Sequence, residues 1–435
     1  MAFLESARHL MAATIISGFS VVALSSSTHL LPAIASGIHL DGVSGFGLET
    51  RGGLDGRVIR VTNLSSSGEG SLAWAVAQQG ERLVVFEVGG VINLHGQSVV
   101  IEQPNLTIAG QTAPSPGITL IRGGLIIRTH DVQVQHIRVR PGDNNQQPLS
   151  GWESDGISVS GQRARRVHID HCSVSWAVDE NLSVSGSRLR GPEFTARDVT
   201  FSRSIVAEAL DYASHKKGKH SKGLLIHDYV SGVAVLGNLF ISNDRRNPYF
   251  KAHSSGVVVN NLLYNIGNAA VQIGFVDDEW KGSVNTPVVP RISVVGNVLV
   301  YGRDSYSDLP LVAYQGDAFI EDNRVINLRG EAMPQVHGPV KVLAEKPVWP
   351  KGFSPLPASQ VEAYVLANAG ARPWDRDVHD RRIVAGFHER SSRIIDSQEQ
   401  VGGYPLMNVS FRKLGSPGEN REQWLKSFEV EELVE

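Results

Sequence analysis

The sequence predicts an all-β fold, a right-handed parallel β-helix (solenoid) closed at its first end by a short N-terminal capping helix and covered outside by a C-terminal tail. Three observations predict it. An apolar-x-apolar pair opens one segment after another: Leu106-x-Ile108, Val132-x-Val134, Val167-x-Ile169, Val199-x-Phe201, Val233-x-Val235, Val257-x-Val259, Ile292-x-Val294 and Ala318-x-Ile320. The pairs recur roughly 23 to 36 residues apart, a repeat-architecture spacing. Three residues beyond the second apolar position stand Cys172, Ser204, Asn238, Asn297 and Asn323, with Asn261 two beyond Val259, so a small or amide side chain returns to one place in each unit. Period-two alternation turns one apolar row inward, and because one coil cannot bury that row its neighbours must stack on it. The asparagines are expected at the turns, since asparagine tolerates left-handed backbone and its amide can bond from coil to coil. A β-sandwich would need strands about every 8–12 residues joined by hairpins, which the insertions at 140–155 and 209–222 do not suit.

Taken in order, the chain opens with an apolar run over 11–24 followed by Ala33-Ile34-Ala35, the pattern of a signal peptide over 1–35 with cleavage near Ala35. Residues 36–340 are assigned to the β-helix domain and 341–435 to a C-terminal extension packed on it. Ser71 followed by Leu72, Ala75 and Val76 predicts a short helix over 68–79, covering the first end of the stack. In the Pro- and charge-rich extension one helical stretch is expected, over 359–369. No other apolar run is long enough to cross a bilayer, so the mature protein is expected to be secreted, soluble and monomeric. Lys and Arg total 41 against 44 Asp and Glu, a net charge of -3 that argues against a nucleic-acid surface. The single cysteine, Cys172, excludes an intrachain disulfide framework and reads as buried filler.

Charged residues gather on consecutive repeats: Glu153 and Asp155, then Asp179 and Glu180, then Lys222, then Arg245, Arg246 and Lys251. Loops from successive coils stack on one flank, so carboxylates followed by cations make a groove with an acidic and a basic half. Hard oxygen ligands suit Ca²⁺, and a cation beside Lys and Arg suits an acidic polysaccharide. Glu208, Asp211, His215 and His220 lie in the inserted loop, within reach of substrate or on a solvated surface. Asp170-His171 reads as scaffold.

The ordered motifs Asp155-Gly156-Ile157-Ser158-Val159, Val167-His168-Ile169-Asp170-His171, Asp179-Glu180-Asn181-Leu182-Ser183, His220-Ser221-Lys222-Gly223, Arg246-Asn247-Pro248-Tyr249-Phe250-Lys251 and Val259-Asn260-Asn261 resemble those of the pectate lyase family of polysaccharide lyases. The resemblance covers about residues 43 to 330. It implies Ca²⁺-dependent β-elimination on 4-linked polygalacturonate, giving 4,5-unsaturated products. It places the catalytic base on Arg246, the substrate lysine on Lys222, a further binding cation on Lys251 and calcium acids on Asp155 and Asp179, with Glu153 and Glu180 as the nearest further acids. Two positions depart from the family pattern. Lys251 stands where an arginine is expected, and Ser183 where another calcium acid is expected.

Two other functions fit a β-helix. A pectin-active glycoside hydrolase needs a carboxylate pair, for which the adjacent Asp179 and Glu180, expected on opposite faces of a strand, are poorly placed. A non-catalytic carbohydrate-binding β-helix would bind without releasing an unsaturated product.

Overall fold

The computed structural model describes residues 37–430; the expected signal peptide over 1–35 lies outside the described residues. The chain winds through three parallel sheets of 11, 10 and 9 strands, and successive coils add one strand to each. Among the strands of the described residues, the short Ser410–Phe411, from the tail, is the one that pairs antiparallel, on Val88–Asn93. This is a right-handed parallel β-helix.

The predicted apolar pairs open strands of the 11-stranded sheet. Leu106, Val132, Val167, Val199 and Val233 stand in register, and the next apolar position follows as Ile108, Val134, Ile169, Phe201 and Val235, all essentially buried in one continuous core. One pair is corrected by the structure. In Ser255–Val259 it is Gly256 and Val258 that align with Val233 and Val235, and Val258 enters the core, whereas Val257 and Val259 face a second cluster beneath the tail. The Val-Val-Val run is buried on both faces, so alternation carries no register there. The slip also explains the irregular spacing of Asn261, which stands three residues beyond Val258.

The amide ladder forms. Asn238, Asn261 and Asn297 each donate through Nδ2 to Oδ1 of the next asparagine, at 3.0, 2.9 and 2.9 Å, ending on Asn323. Each Oδ1 also accepts the backbone N–H of the preceding ladder residue, from Ser204 onward. The left-handed backbone sits one residue earlier than expected, at His171, Arg203, Gly237, Asn260, Gly296 and Asp322. The ladder asparagines are therefore selected for bonding, and the residue before each one makes the bend.

A helix over Leu72–Ala77, with Ser71 accepting from Trp74 N–H, packs on the terminal strands Arg57–Val61 and Val99–Ile101. The tail carries three helices where one was expected: Ala358–Asn368, Val378–Glu389 and Arg421–Lys426. The second is fixed by buried charge, Asp377 and Asp380 pairing with Arg138 and Arg140 of the 10-stranded sheet. Arg382 clasps Glu208 through two 2.7 Å bonds, so Glu208 ties down the tail. Asp170 likewise serves as scaffold, accepting from Ser202, Arg203 and His171. Cys172 is fully buried, and burial pushes its thiol up to about 12. No helix among the described residues is long and apolar enough to cross a membrane.

Candidate active site

The sequence-predicted charges arrive on four consecutive rungs of the 9-stranded sheet: Ile157–Ser160, Glu180–Ser185, Lys222–Ile226 and Tyr249–Phe250. Each rung is entered from a turn that carries chemistry, so Asp155, Asp179 and Arg246 lie just ahead of their strands while Glu180 and Lys222 open theirs. Two glycines permit the packing. A Cβ on Gly156 would stand 2.5 Å from the Asn181 carbonyl oxygen, and one on Gly223 would stand 2.6 Å from that of Arg246. A second amide chain, absent from the sequence expectations, pins the turns together: Asn181 donates to Asn243 at 3.2 Å and Asn243 to Asn247 at 3.1 Å.

Asp155, Asp179 and Glu180 bring one carboxylate oxygen each to within 4.8 Å of one another. The expectation that adjacent Asp179 and Glu180 point apart fails because Asp179 lies in the turn, outside the pleat. Asp155 accepts from Ser183 Oγ at 2.6 Å and from Glu180 N–H at 3.1 Å. Burial, reinforced by Asp179, pushes the Asp155 carboxyl up to about 7 against the hydrogen bonds of Ser183 and Ser158. For Asp179, burial acts in the same direction but is outweighed by His220, whose Nε2 donates to Oδ1 at 2.9 Å, and by His215 and Arg246; its carboxyl is held below the ordinary range. The rings of His215 and His220 stack at 3.7 Å, so the inserted loop reaches the acidic cluster. Glu153 is not in that cluster; it accepts from Lys216 N–H at 3.2 Å and pairs with the Lys216 ammonium at 3.3 Å.

Arg246 joins the acids to a cleft of about 470 Å³ that it lines with Lys222, Arg245, Tyr249, Gln272 and Tyr314. One guanidinium nitrogen, Nη1, pairs with Glu180. Its backbone is left-handed, at φ 61°, and its N–H donates to Gln272 Oε1 at 2.7 Å. Burial lowers the Arg246 guanidinium below the ordinary arginine value, although Asp179, Tyr249 and Asp155 act the other way. Burial also lowers Lys222, whose ammonium has no hydrogen bond or ion pair among the described residues. Lys251 is placed differently from the other cations. It does not line the cleft, and its ammonium pairs with Glu279 and, at 3.7 Å, with Asp228, both of which also hold Arg188.

No protein-family model matches the chain. Among curated proteins, a probable pectate lyase C of Aspergillus flavus is 32% identical over 396 residues, covering 88% of this chain and 85% of the relative. The chain belongs to the pectate lyase family. Another probable pectate lyase C, from Emericella nidulans, is 32% identical over 369 residues, covering 83% of this chain and 79% of the relative. Solved structures agree on the fold. The cedar-pollen allergen jun a 1 superposes with TM-score 0.54 at 17% identity over 75% of this chain and 92% of its own. A thermostable pectate lyase superposes at 0.51 and 16%, over 75% and 96%.

Within the pectate lyase family pattern, Ser183 now has a visible role: it donates to Asp155, as a carboxylate could do only if protonated. Lys251 has an acidic partner that its motif does not reveal, because Glu279 lies 28 residues away in a short 3₁₀ helix, Asp277–Trp280, with no motif of its own. Gln272 was missed for the same reason, being recognisable only once its rung is stacked on Arg246.

Proposed function

We propose that this chain cleaves 4-linked polygalacturonate by Ca²⁺-dependent β-elimination and acts as a secreted enzyme. The observation that carries the reading is the convergence of Arg246 with Asp155 and Asp179 on one side and Lys222 on the other, residues on which the family motifs fall, with Glu180 as a third carboxylate in the cluster. The donor set fits a hard divalent cation: three carboxylates lie close enough to share it, with room in the family of 6–8 oxygen ligands for water and a substrate carboxylate. Asp155, Asp179 and Glu180 would hold Ca²⁺, which would supply positive charge next to the carboxylate that becomes more electron-rich as the C5 proton leaves.

The chain's own residues account for the rest of the reaction. Lys222, partly dehydrated and unpaired, binds and neutralises the uronate carboxylate, which lowers the barrier to forming negative charge at C5. Arg246 takes the C5 proton. Arginine is ordinarily protonated, but burial disfavours its charge, and substrate binding displaces more water from the cleft. Gln272 fixes the Arg246 backbone, so the guanidinium is positioned before substrate arrives. Electrons from the C5–H bond form the C4–C5 double bond as the C4–O bond breaks; the departing oxygen keeps that bond's electron pair and takes a proton from solvent, and Arg246 returns its proton to solvent, so no water is consumed overall. Lys251 is engaged by Glu279 and Asp228 and is assigned no step.

A hydrolase is less well supported. The nearest carboxylate oxygens lie within 4.8 Å of one another, which excludes the roughly 6.5–9.5 Å spacing of an inverting pair and leaves a hydrolase only the retaining spacing of about 5–5.5 Å, with Arg246 paired to Glu180 in the same cluster. The test is incubation with polygalacturonate at alkaline pH, with Ca²⁺ or with chelator, following ultraviolet absorbance of the unsaturated uronate beside reducing ends. Cation-dependent absorbance is expected; reducing ends without absorbance would refute elimination.

A further inference from the structure

The C-terminal ends of the strands that carry the acidic cluster form a second concave surface, a groove of about 510 Å³ lined by Arg128, Ser160, Gln162, Arg163, Ser185 and Arg190. It differs in kind from the cleft beside Arg246. No carboxylate lines it, and among the described residues none of its three guanidinium groups has an ion pair or a side-chain hydrogen bond. In a chain with a net charge of -3, three arginines lining one groove with no acid among its lining residues are a local excess of positive charge. Arg190 lies over the Phe194 ring, 3.6 Å from its centroid, which holds its head at the groove.

The three arginines come from three successive coils. Arg128 follows the strand Leu125–Ile127, Arg163 the strand Ile157–Ser160 and Arg190 the strand Glu180–Ser185, three neighbours in one parallel sheet. Each arginine thus comes from its own coil, and coils repeat about every 4.8 Å. Three cations on successive coils suit a linear polymer that carries one carboxylate per sugar, while Ser160, Ser185 and Gln162 offer hydrogen bonds to hydroxyls. The groove also adjoins the proposed reaction site. Ser158 and Ser183 pair in register beside Asp155, and Ser160 and Ser185 pair two residues further along the same strands, about 7 Å away on the same face.

We propose that this arginine groove is a second polyuronate-binding surface, holding a stretch of the polymer away from the residues that cleave it. The inference rests on the reading of the substrate as a polyuronate. It requires no cation, since guanidinium groups meet the carboxylates directly.

The test uses the whole protein in affinity gel electrophoresis, with fully de-esterified polygalacturonate in the gel, a neutral dextran gel as reference, and excess chelator so that binding through the acidic cluster is suppressed. The triple variant Arg128→Gln/Arg163→Gln/Arg190→Gln is expected to raise the apparent Kd for polygalacturonate at least three-fold, and raised salt should weaken the parent more than the variant. A change of less than three-fold overturns the proposal. All three residues are exposed, so the fold should survive; should the triple variant not fold, the pair Arg128→Gln/Arg163→Gln carries the same criterion. The elimination assay separates the two readings. A parent that eliminates, with a variant that binds equally well, overturns the groove alone. A parent that does not eliminate, but whose retention depends on these arginines, overturns the lyase reading alone.

Discussion

Replacing Ser183 by aspartate restores a carboxylate where the family pattern expects one and tests whether the acidic cluster is a cation site. Ser183 is buried and donates to Asp155 Oδ2 at 2.6 Å. In Ser183→Asp that donor is lost and a second negative charge faces Asp155. Two carboxylates about 4 Å apart repel by about 4 kcal/mol at an effective dielectric constant near 20. Asp155 can escape by taking up a proton. With its carboxyl already at about 7, protonation at pH 8 costs about 1.4 kcal/mol. The variant in chelator should therefore be less stable than the parent by about 1.4 to 4 kcal/mol, and Ca²⁺ should return most of this because it binds only the folded cluster. The assays are urea unfolding at pH 8 with chelator or Ca²⁺, and calorimetric Ca²⁺ titration, where affinity should rise at least about ten-fold, equivalent to 1.4 kcal/mol. A variant as stable as the parent in chelator, with unchanged Ca²⁺ affinity, would refute the placement of a cation between Asp155 and Asp179.

Three further outcomes follow from other parts of the molecule. Asn297→Ala leaves the Asn261 N–H, the Asn261 amide and the Val258 carbonyl without their partner; at about 1–3 kcal/mol for each buried unsatisfied group, urea unfolding should show a loss of about 3–5 kcal/mol, and a loss below about 1 kcal/mol would show that the ladder is dispensable. Burial lowers His171 and His379 to about 4, so the folded state refuses protons that the unfolded chain accepts below about 6.5. Their contribution is complete above about pH 6.5 and is lost as pH falls towards 4, up to about 3 kcal/mol for one such histidine; equal urea midpoints at pH 7.5 and pH 5 would contradict this. Arg382→Ala leaves Glu208 without its two guanidinium bonds and with only the bond from Trp176 Nε1; because Arg382 is partly exposed and water can take its place, the loss should be about 1–3 kcal/mol, with the tail exposed to proteolysis near 378–389, and unchanged protease resistance would count against the clasp.

The parts of the fold that were readable in sequence are those encoded by short, repeated spacing. The inward pairs and the amide ladder lie within a few residues of each other in every coil, so they recur visibly. Ser255–Val259 was misregistered because the tail buries its outer face, leaving apolar residues on both sides. Val378–Glu389 went unseen as a helix because its buried face carries only Ile383 and Phe387 as large apolar residues beside His379, Asp380 and Gly386, with Asp380 and the N-cap Asp377 meeting Arg138 and Arg140, so the apolar period is too sparse to mark it. At the site, Asp155, Asp179, Lys222 and Arg246 were legible through their motifs. Their partners were not: His220 reaches Asp179 through an inserted loop, Gln272 reaches Arg246 from the next rung, and Glu279 captures Lys251 from a short 3₁₀ helix. Such pairings depend on how far each insertion folds back over the stack, which no local spacing encodes.

The most direct test of the account is the initial rate of unsaturated-uronate formation from polygalacturonate by the parent and by Arg246→Lys, at saturating Ca²⁺ and alkaline pH, with unfolding midpoints measured in parallel. Lysine keeps the charge but not the reach or the planar donor geometry. If Arg246 removes the C5 proton, the rate should fall at least about a hundred-fold, within the range for loss of a general base, while the midpoint stays close to the parent's. A folded Arg246→Lys variant that eliminates within a few-fold of the parent would contradict the role assigned to Arg246.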